Sequence, residues 1–228
     1  MPRANRYYSP GQIYHLTHRC HNQAYLLGFV QDRDAYRMKL FEGLRQFRVS
    51  LLSYCITSNH VHLLVSAKST RQVSNFMQKV EGEFAQIYNR RKHRSGAYWG
   101  ERYHATMIEE GRHLWACLEY IDLNMVRAGV VNHPSDWKWT AWHELMGLRK
   151  RYRLMDMDRL LELIGPMEPE RFREDYESKI EEKMNRGPLE RDRKWTESIA
   201  VGSRAFVDRI AAKAEHRIDL SLEKSDQR

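Results

Sequence analysis

Apolar and polar positions follow two different periods along the chain, and the changes between them mark the expected elements. Four segments rich in branched and aromatic residues are typical of β-strands, and they span residues 12–21, 49–57, 60–65 and 103–110. Three segments carry apolar residues at helical spacing, and they span residues 32–47, 70–94 and 112–129. The resulting order is β-α-β-β-α-β followed by a helix. It predicts an α+β fold with a ferredoxin-like antiparallel sheet and helices packed on one of its faces.

The character of the sequence changes near residue 149. Residues 1–148 contain all of the elements above and are predicted to form one domain. Residues 149–228 are highly charged and helix-prone, so we expect a helical C-terminal extension there. Its role, either in binding a ligand or in forming a dimer, is open at the level of sequence.

The composition favours a polyanionic partner. The chain has 38 Lys and Arg against 30 Asp and Glu, which gives a formal net charge of +8, and it contains 6 Trp, 12 Tyr and 7 Phe. This balance suits nucleic acid, although a merely basic protein would share it. The 3 Cys are scattered without a CxxC pair, and no apolar run of about 18 residues occurs. We therefore expect a cytoplasmic protein without a membrane span.

Two histidines stand one residue apart in the third predicted strand. Because side chains two residues apart point to the same face of a strand, His60 and His62 are expected to lie side by side, with Val61 on the other face. Two neutral imidazoles in this arrangement form half of a metal site or of a catalytic site. Two ordinary surface histidines would give the same pattern.

The last predicted helix carries a second set of polar side chains. Tyr120 and Asn124 are four residues apart and share a face beside the apolar stripe, and Arg127 extends that face. If this helix packs near the histidine strand, His60, His62 and Asn124 supply a mixed nitrogen and oxygen ligand set that suits Mg²⁺ or Mn²⁺. Tyr120 would then be placed to attack a phosphate. Alternatively, Tyr120 packs at the edge of the core and Asn124 faces water.

These motifs resemble a known family. The stretches NHVHLLV (59–65) and YIDLNMVRAGVV (120–131) are similar to those of the HUH single-tyrosine transposases, and most of all to the REP-associated tyrosine transposases. YHLTHR (14–19), residues 88–110 and SDWKWTAW (135–142) extend the similarity, which covers about residues 7–145. The resemblance implies that residues 1–148 form an HUH single-tyrosine transposase domain.

The resemblance also implies roles for individual residues. His60 and His62 match the metal-binding pair, Tyr120 matches the nucleophile that becomes linked to a 5′ phosphate of single-stranded DNA, and Asn124 matches the third ligand. The implied cofactor is Mg²⁺ or Mn²⁺. The implied partner is hairpin DNA of the repetitive extragenic palindrome (REP) type, bound by a monomer or homodimer.

Two prolines of the family pattern are absent. Ser58 stands before the NHVH motif, and Met125 stands where the family has a proline after Asn124. Since a proline disturbs a helix, Met125 is expected to lengthen or straighten this one. Such a change of the helix would shift Asn124 slightly relative to the histidines.

Basic and aromatic residues outside these motifs are candidates for DNA contact. The cations would contact phosphates, and Tyr7, Tyr8, Tyr98 and Trp99 would stack on unpaired bases. The cluster in YNRRKHR (88–94) would equally suit a solvated helix end. The candidates are Arg3, Arg6, Tyr7, Arg19, Arg90, Arg91, Lys92, Arg94, Trp99 and Arg127.

Two other functions are compatible with the sequence. A non-catalytic regulator would keep the fold and bind hairpin DNA or RNA without cutting it. A zinc hydrolase would combine His60 and His62 with an acidic ligand such as Glu109 or Glu119, but the chain lacks an HExxH motif. The complete set of two histidines, Tyr120 and Asn124 favours the DNA-cleaving enzyme.

Overall fold

The sheet contains five strands in the computed structural model, which describes residues 10–223. They are β1 (Ile13–Arg19), β2 (Ser50–Ile56), β3 (His60–Ser66), β4 (His104–Ile108) and β5 (Ala200–Val201). The strand order is β2-β3-β1-β4-β5. The pairs β2–β3, β3–β1 and β1–β4 are antiparallel. The ferredoxin-like prediction is confirmed. The sheet as a whole is mixed, because the short β5 joins β4 in parallel.

The α-helices follow the predicted order as far as residue 129. They are α1 (Val30–Phe47), α2 (Thr70–Arg91), α3 (Arg112–Asp122), α4 (Asn124–Arg127), α5 (Trp142–Leu145), α6 (Met157–Ile164), α7 (Pro169–Asn185), α8 (Lys194–Glu197) and α9 (Arg204–Glu223). No helix among residues 10–223 is long and apolar enough to cross a membrane.

Local sequence explains how α2 begins and how it approaches α1. The Ser69 hydroxyl accepts a hydrogen bond from the Gln72 backbone amide at 3.3 Å, and Gln72 Oε1 accepts one from the Ser69 amide at 2.9 Å. This capping box satisfies amides that have no partner within the helix. Where the helices cross, a Cβ on Gly43 would lie 2.6 Å from Val80 Cγ2, so a side chain at residue 43 would push the helices apart.

Helical elements cover both faces of the sheet, whereas the sequence predicted helices on one face. On one face, the His18 ring of β1 stacks on Trp99, which also contacts Phe84 of α2. On the other face, the His15 ring lies 6.1 Å from that of Tyr120 in α3, and its Nδ1 bonds to the carbonyl of Trp195 in α8. The second layer was not predicted because most of it comes from residues far along the chain.

The C-terminal extension is bonded to the sheet at both edges. The Asp156 amide donates to the Leu51 carbonyl of β2 at 2.8 Å, and the Met107 amide of β4 donates to the Ile199 carbonyl at 2.8 Å. Residues 149–223 also contribute the strand β5, so their structure is not purely helical. Between these edges, the extension contacts the face of the sheet that carries His15 through the Trp195 carbonyl.

The predicted helix over residues 112–129 is interrupted. Leu123 has φ of −75° and ψ of 2°, and it separates α3 from the single turn of α4. The expectation that Met125 straightens this helix is therefore wrong. Met125 and Asn124 are 3% and 8% exposed, so tertiary packing, rather than the helix propensity of residue 125, sets the local backbone.

Candidate active site

The two histidines of β3 lie side by side, as their spacing predicts. Across the sheet, His60 pairs with Arg19 and His62 pairs with Thr17 of β1. The two imidazole rings are 4.9 Å apart between their centroids. His60 Nδ1 donates a hydrogen bond to Asn59 Oδ1 at 2.7 Å. In a neutral ring, this bond leaves the lone pair of His60 on Nε2.

A third histidine, His15 of β1, continues this pair towards the C-terminal extension. His15 Nε2 lies 2.9 Å from His62 Nδ1, and His15 Nδ1 lies 2.8 Å from the Trp195 carbonyl oxygen. On the other side, Asn124 Nδ2 lies 3.0 Å from His62 Nε2. One row of hydrogen bonds therefore runs from the Trp195 carbonyl in α8 through His15 and His62 to Asn124 in α4.

The imidazoles of the site are neutral at physiological pH. Burial lowers the pKa of His15 from 6.5 to about 4 and that of His60 to about 3, and it also lowers the pKa of His62. The positive charges of Arg19 and Arg127 lower the pKa of His60 and His62 further. Neutral imidazole is the form that binds a metal ion.

Tyr120 lies against the same histidines. Its ring centroid is 6.0 Å from that of His62, and the residue is 8% exposed. The Arg127 guanidinium carbon lies 4.3 Å from the Tyr120 ring centroid. Burial raises the pKa of Tyr120 above its ordinary value of 10, while the positive charges of Arg127 and Arg191 oppose the rise. The hydroxyl is therefore protonated at neutral pH and requires activation to become a nucleophile.

A cavity of about 440 Å³ joins these groups. The two β3 histidines, Tyr120, Asn124 and Glu101 are among the residues that line it. Four arginines also line it, and they are Arg19, Arg102, Arg127 and Arg191. Guanidinium groups form paired hydrogen bonds with phosphates, so the cavity has the electrostatic character of a phosphate-binding site.

The structure therefore brings together the residues that the sequence connected. The cavity contains His60, His62, Tyr120 and Asn124, with Arg19 and Arg127 beside them. Their chemical roles remain predictions. Four candidates for DNA contact lie outside the described residues 10–223, and these are Arg3, Arg6, Tyr7 and Tyr8.

The basic cluster at the end of α2 is partly engaged in internal contacts. Arg91 forms an ion pair with the buried carboxylate of Asp32, and Arg94 donates to the Ala97 carbonyl at 2.7 Å. These contacts give Arg91 and Arg94, two of the four cationic residues in the cluster, a structural role. The other two are exposed, and they are Arg90 and Lys92.

The aromatic residues of the following loop belong largely to the core. Tyr98 is 2% exposed, and its ring packs 5.2 Å from that of Phe84, so the prediction that it stacks on a base is wrong. Trp99 stacks on His18 at 4.4 Å and donates through Nε1 to the Glu81 carbonyl at 3.1 Å. The composition of a loop does not show which of its aromatic rings turn inwards.

Sequence reasoning missed His15 and the contribution of the extension. His15, Thr17 and Arg19 alternate along β1, so the prediction for Arg19 could have led to His15. Arg191 and Trp195 lie far from the histidine motif in sequence, and no periodicity connects them to it. Only the packing of the extension against the sheet reveals their place in the site.

The acidic residues of the zinc hydrolase alternative have other partners. Glu119 forms an ion pair with Lys183, and Glu109 accepts hydrogen bonds from the Ser203 backbone and hydroxyl. Within residues 10–223, no group of three His, Cys, Asp or Glu residues is arranged to hold a metal ion. A site at His60 and His62 must therefore draw other ligands from the Asn124 amide, water or a bound phosphate.

Comparison with known proteins assigns the chain to a family. The family model of IS200-like transposases matches residues 9–124, about half of the chain. A Haemophilus influenzae protein named as a REP-associated tyrosine transposase is 24% identical over 156 residues, which cover 63% of this chain and 86% of that protein. A solved structure of a REP-associated tyrosine transposase bound to a REP hairpin covers 74% of this chain and 96% of its own, with a TM-score of 0.56 and 17% identity. At that identity, the structural match supports the fold.

Proposed function

The chain belongs to the family of IS200-like transposases, and we propose that it cleaves and joins single-stranded DNA beside a hairpin through a covalent phosphotyrosyl intermediate. The observation that carries this proposal is that Tyr120 lines one cavity together with two neutral histidines and four arginines. This combination suits phosphoryl transfer, which depends on a positioned nucleophile and on positive charge around the phosphate.

The donor atoms of the site fit a divalent cation. The hydrogen bond from His60 Nδ1 to Asn59 leaves the Nε2 lone pair available, and His62 Nε2 faces Asn124. Asn124 now directs its amide nitrogen at His62, so the carboxamide must turn over for its oxygen to face a cation. His60, His62 and Asn124 would hold Mg²⁺ or Mn²⁺, which would polarise the scissile phosphate.

Tyr120 would carry out the covalent step. The bond between its phenolic oxygen and the phosphorus forms as the bond from phosphorus to the 3′ oxygen breaks, and the phenolic proton is formally transferred to the released 3′ oxygen, which becomes a hydroxyl. The 5′ phosphate then remains attached to Tyr120. Arg127 and Arg191 oppose the rise in the pKa of Tyr120 that burial causes, and both line the cavity that would receive the phosphate.

The preferred substrate would be hairpin DNA. The named relatives are REP-associated tyrosine transposases, and the solved one binds a REP hairpin. The net charge of +8 is compatible with a nucleic acid partner. We propose palindromic hairpins with single-stranded flanks as substrates, bound in the cytoplasm by a monomer or homodimer.

The test is formation of a covalent protein–DNA adduct. The purified protein is mixed with end-labelled hairpins that carry single-stranded flanks, taken from repeated palindromes of the source genome, with Mn²⁺, Mg²⁺ or EDTA. Denaturing gels should show a metal-dependent adduct that is absent in Tyr120→Phe. The adduct should persist in Tyr152→Phe, since the Tyr152 side chain is 62% exposed and is not part of the cavity.

Peptide mapping of the adduct should place the DNA on Tyr120. An adduct that survives in Tyr120→Phe would show that another group is the nucleophile. Hairpin binding without any adduct in the unaltered protein would favour the non-catalytic regulator instead.

A further inference from the structure

The hydrogen-bonded row through His15 fixes where its protons lie. A carbonyl oxygen can only accept a hydrogen bond, so the 2.8 Å contact between His15 Nδ1 and the Trp195 oxygen requires a proton on His15 Nδ1. The opposite assignment would place two acceptors against each other inside the protein. The proton position at this end of the row is therefore determined by the backbone of the C-terminal extension.

His15 is neutral in this setting. The residue is completely buried, and none of its hydrogen bonds among residues 10–223 goes to a carboxylate. A buried imidazolium without a counter-charge is strongly disfavoured. Because the single proton of a neutral ring is on Nδ1, His15 Nε2 is an acceptor.

The assignment continues to the metal-facing atom of His62. Since His15 Nε2 accepts, His62 Nδ1 must donate in their 2.9 Å contact, and the lone pair of His62 lies on Nε2. The Asn124 amide nitrogen, 3.0 Å from that atom, independently matches an acceptor there. Without such a partner, a histidine ring can carry its proton on either nitrogen, and a proton on Nε2 prevents metal binding through that atom.

The segment that supplies the Trp195 carbonyl is itself fixed to the sheet. The Thr106 hydroxyl of β4 lies 3.2 Å from the same carbonyl oxygen and donates to the Ser198 carbonyl at 2.8 Å. Trp195 is 4% exposed, and its ring packs 5.9 Å from that of Tyr120. The Trp195 carbonyl is thus held in place by the hydrogen bonds of Thr106 and by the packing of the Trp195 ring against Tyr120.

We propose that His15 is a positioning residue that sets the tautomer of His62, and that the C-terminal extension controls it through the Trp195 carbonyl. This inference rests on the proposed function in one respect, because it assigns to His62 Nε2 the task of binding a divalent cation. Partners on the second nitrogen of a ligand histidine commonly change metal affinity by about 10- to 100-fold.

The test measures the tautomer and the metal affinity separately in the full-length protein. Nitrogen-15 NMR of histidine side chains reports which ring nitrogen of His62 is protonated, with signals assigned through His62→Ala. Titration with Mn²⁺ followed by electron paramagnetic resonance reports affinity without DNA. We expect His62 to be protonated on Nδ1 in the unaltered protein, to lose that preference in His15→Phe, and to bind Mn²⁺ about 10- to 100-fold more weakly there.

Two further variants separate positioning from a general effect on folding. His15→Gln keeps an amide oxygen that can accept from His62 Nδ1, so it should restore part of the affinity and of the tautomer preference. Tyr54→Phe removes a buried hydroxyl that donates to Glu144 at 2.9 Å, away from the site, and it should leave both readouts unchanged. If His15→Phe does not fold, His15→Leu, which also lacks an acceptor for His62 Nδ1, is measured by the same criteria.

The inference is overturned if His15→Phe keeps both the Nδ1 proton on His62 and the original Mn²⁺ affinity. That result would leave the proposed nuclease function intact. Conversely, an unaltered protein that binds no Mn²⁺ would contradict the metal-dependent part of the proposed function. The NMR tautomer of His62, with and without His15, would then decide the inference alone.

Discussion

Strand β1 buries one histidine on each of its faces, and the two have different surroundings. His18 is in an ion pair with the Glu81 carboxylate, its Nε2 donates to the Glu101 carbonyl at 2.7 Å, and its ring stacks on Trp99. His15, on the other face, contacts a carbonyl and the ring of His62 and lacks a carboxylate partner among the described residues.

The partners of each histidine decide what it can do. With acceptors at both nitrogens, His18 donates twice and serves to connect β1, α2 and the loop before β4. His15 has one acceptor partner, the Trp195 carbonyl, so its second nitrogen, Nε2, accepts a hydrogen bond from His62 Nδ1. The contacts of His18, which also lines the cavity, therefore support the fold, while those of His15 orient the lone pair of His62.

The largest expected difference between the faces concerns metal binding by His60. His60→Ala should weaken Mn²⁺ binding at least about 100-fold, because it removes a proposed ligand atom, and adduct formation should be lost with it. The free energy of unfolding, measured with urea in EDTA, should change by less than about 1 kcal/mol, since His60 is only partly buried. Unchanged Mn²⁺ affinity in His60→Ala would remove this histidine from the site.

A change on the opposite face should affect stability instead. Glu81→Gln leaves His18 without its carboxylate partner, and breaking a buried ion pair should lower the free energy of unfolding by about 3 kcal/mol. Mn²⁺ affinity at a temperature where the protein is folded should remain the same. Chemical denaturation and the Mn²⁺ titration together check both parts.

A control for this change is Glu83, which follows Glu81 by two residues in α2 and is less buried. Glu83 is on the same helix, and its ion pairs with Lys39 and Lys79 are partly exposed, so Glu83→Gln should cost at most about 0.5 kcal/mol. Equal free energies of unfolding for Glu81→Gln and Glu83→Gln would show that the pairing of His18 with Glu81 does not stabilise the fold.

The smallest expected effect concerns Cys20, directly after β1. Burial raises the pKa of the Cys20 thiol from 9.0 to about 11, so the reactive thiolate is scarce at pH 8. Cys55 and Cys117 are buried as well. We expect negligible thiol labelling of the native protein at pH 8, and labelling of all 3 Cys after denaturation. Rapid modification of Cys20 in the native state would show that this end of the strand opens.

The sequence by itself determined the order of the strands and helices up to residue 129 and brought together the central residues of the candidate site. Alternation along β3 put His60 and His62 on one face, and helical spacing put Tyr120 and Asn124 on another. These relations are local, because strand and helix periodicity act over a few residues. Together with the resemblance of the motifs to the HUH single-tyrosine transposases, they were sufficient to predict that these four residues share one site.

The tertiary structure alone decided how that site is completed. It placed the break at Leu123, turned Tyr98 into the core, and brought Arg191 and the Trp195 carbonyl to the histidine face of the sheet. His15 and Trp195 are separated by 180 positions in the sequence. A contact over such a distance leaves no periodic pattern, since it depends on the packing of the extension against β4 and on the burial of both partners.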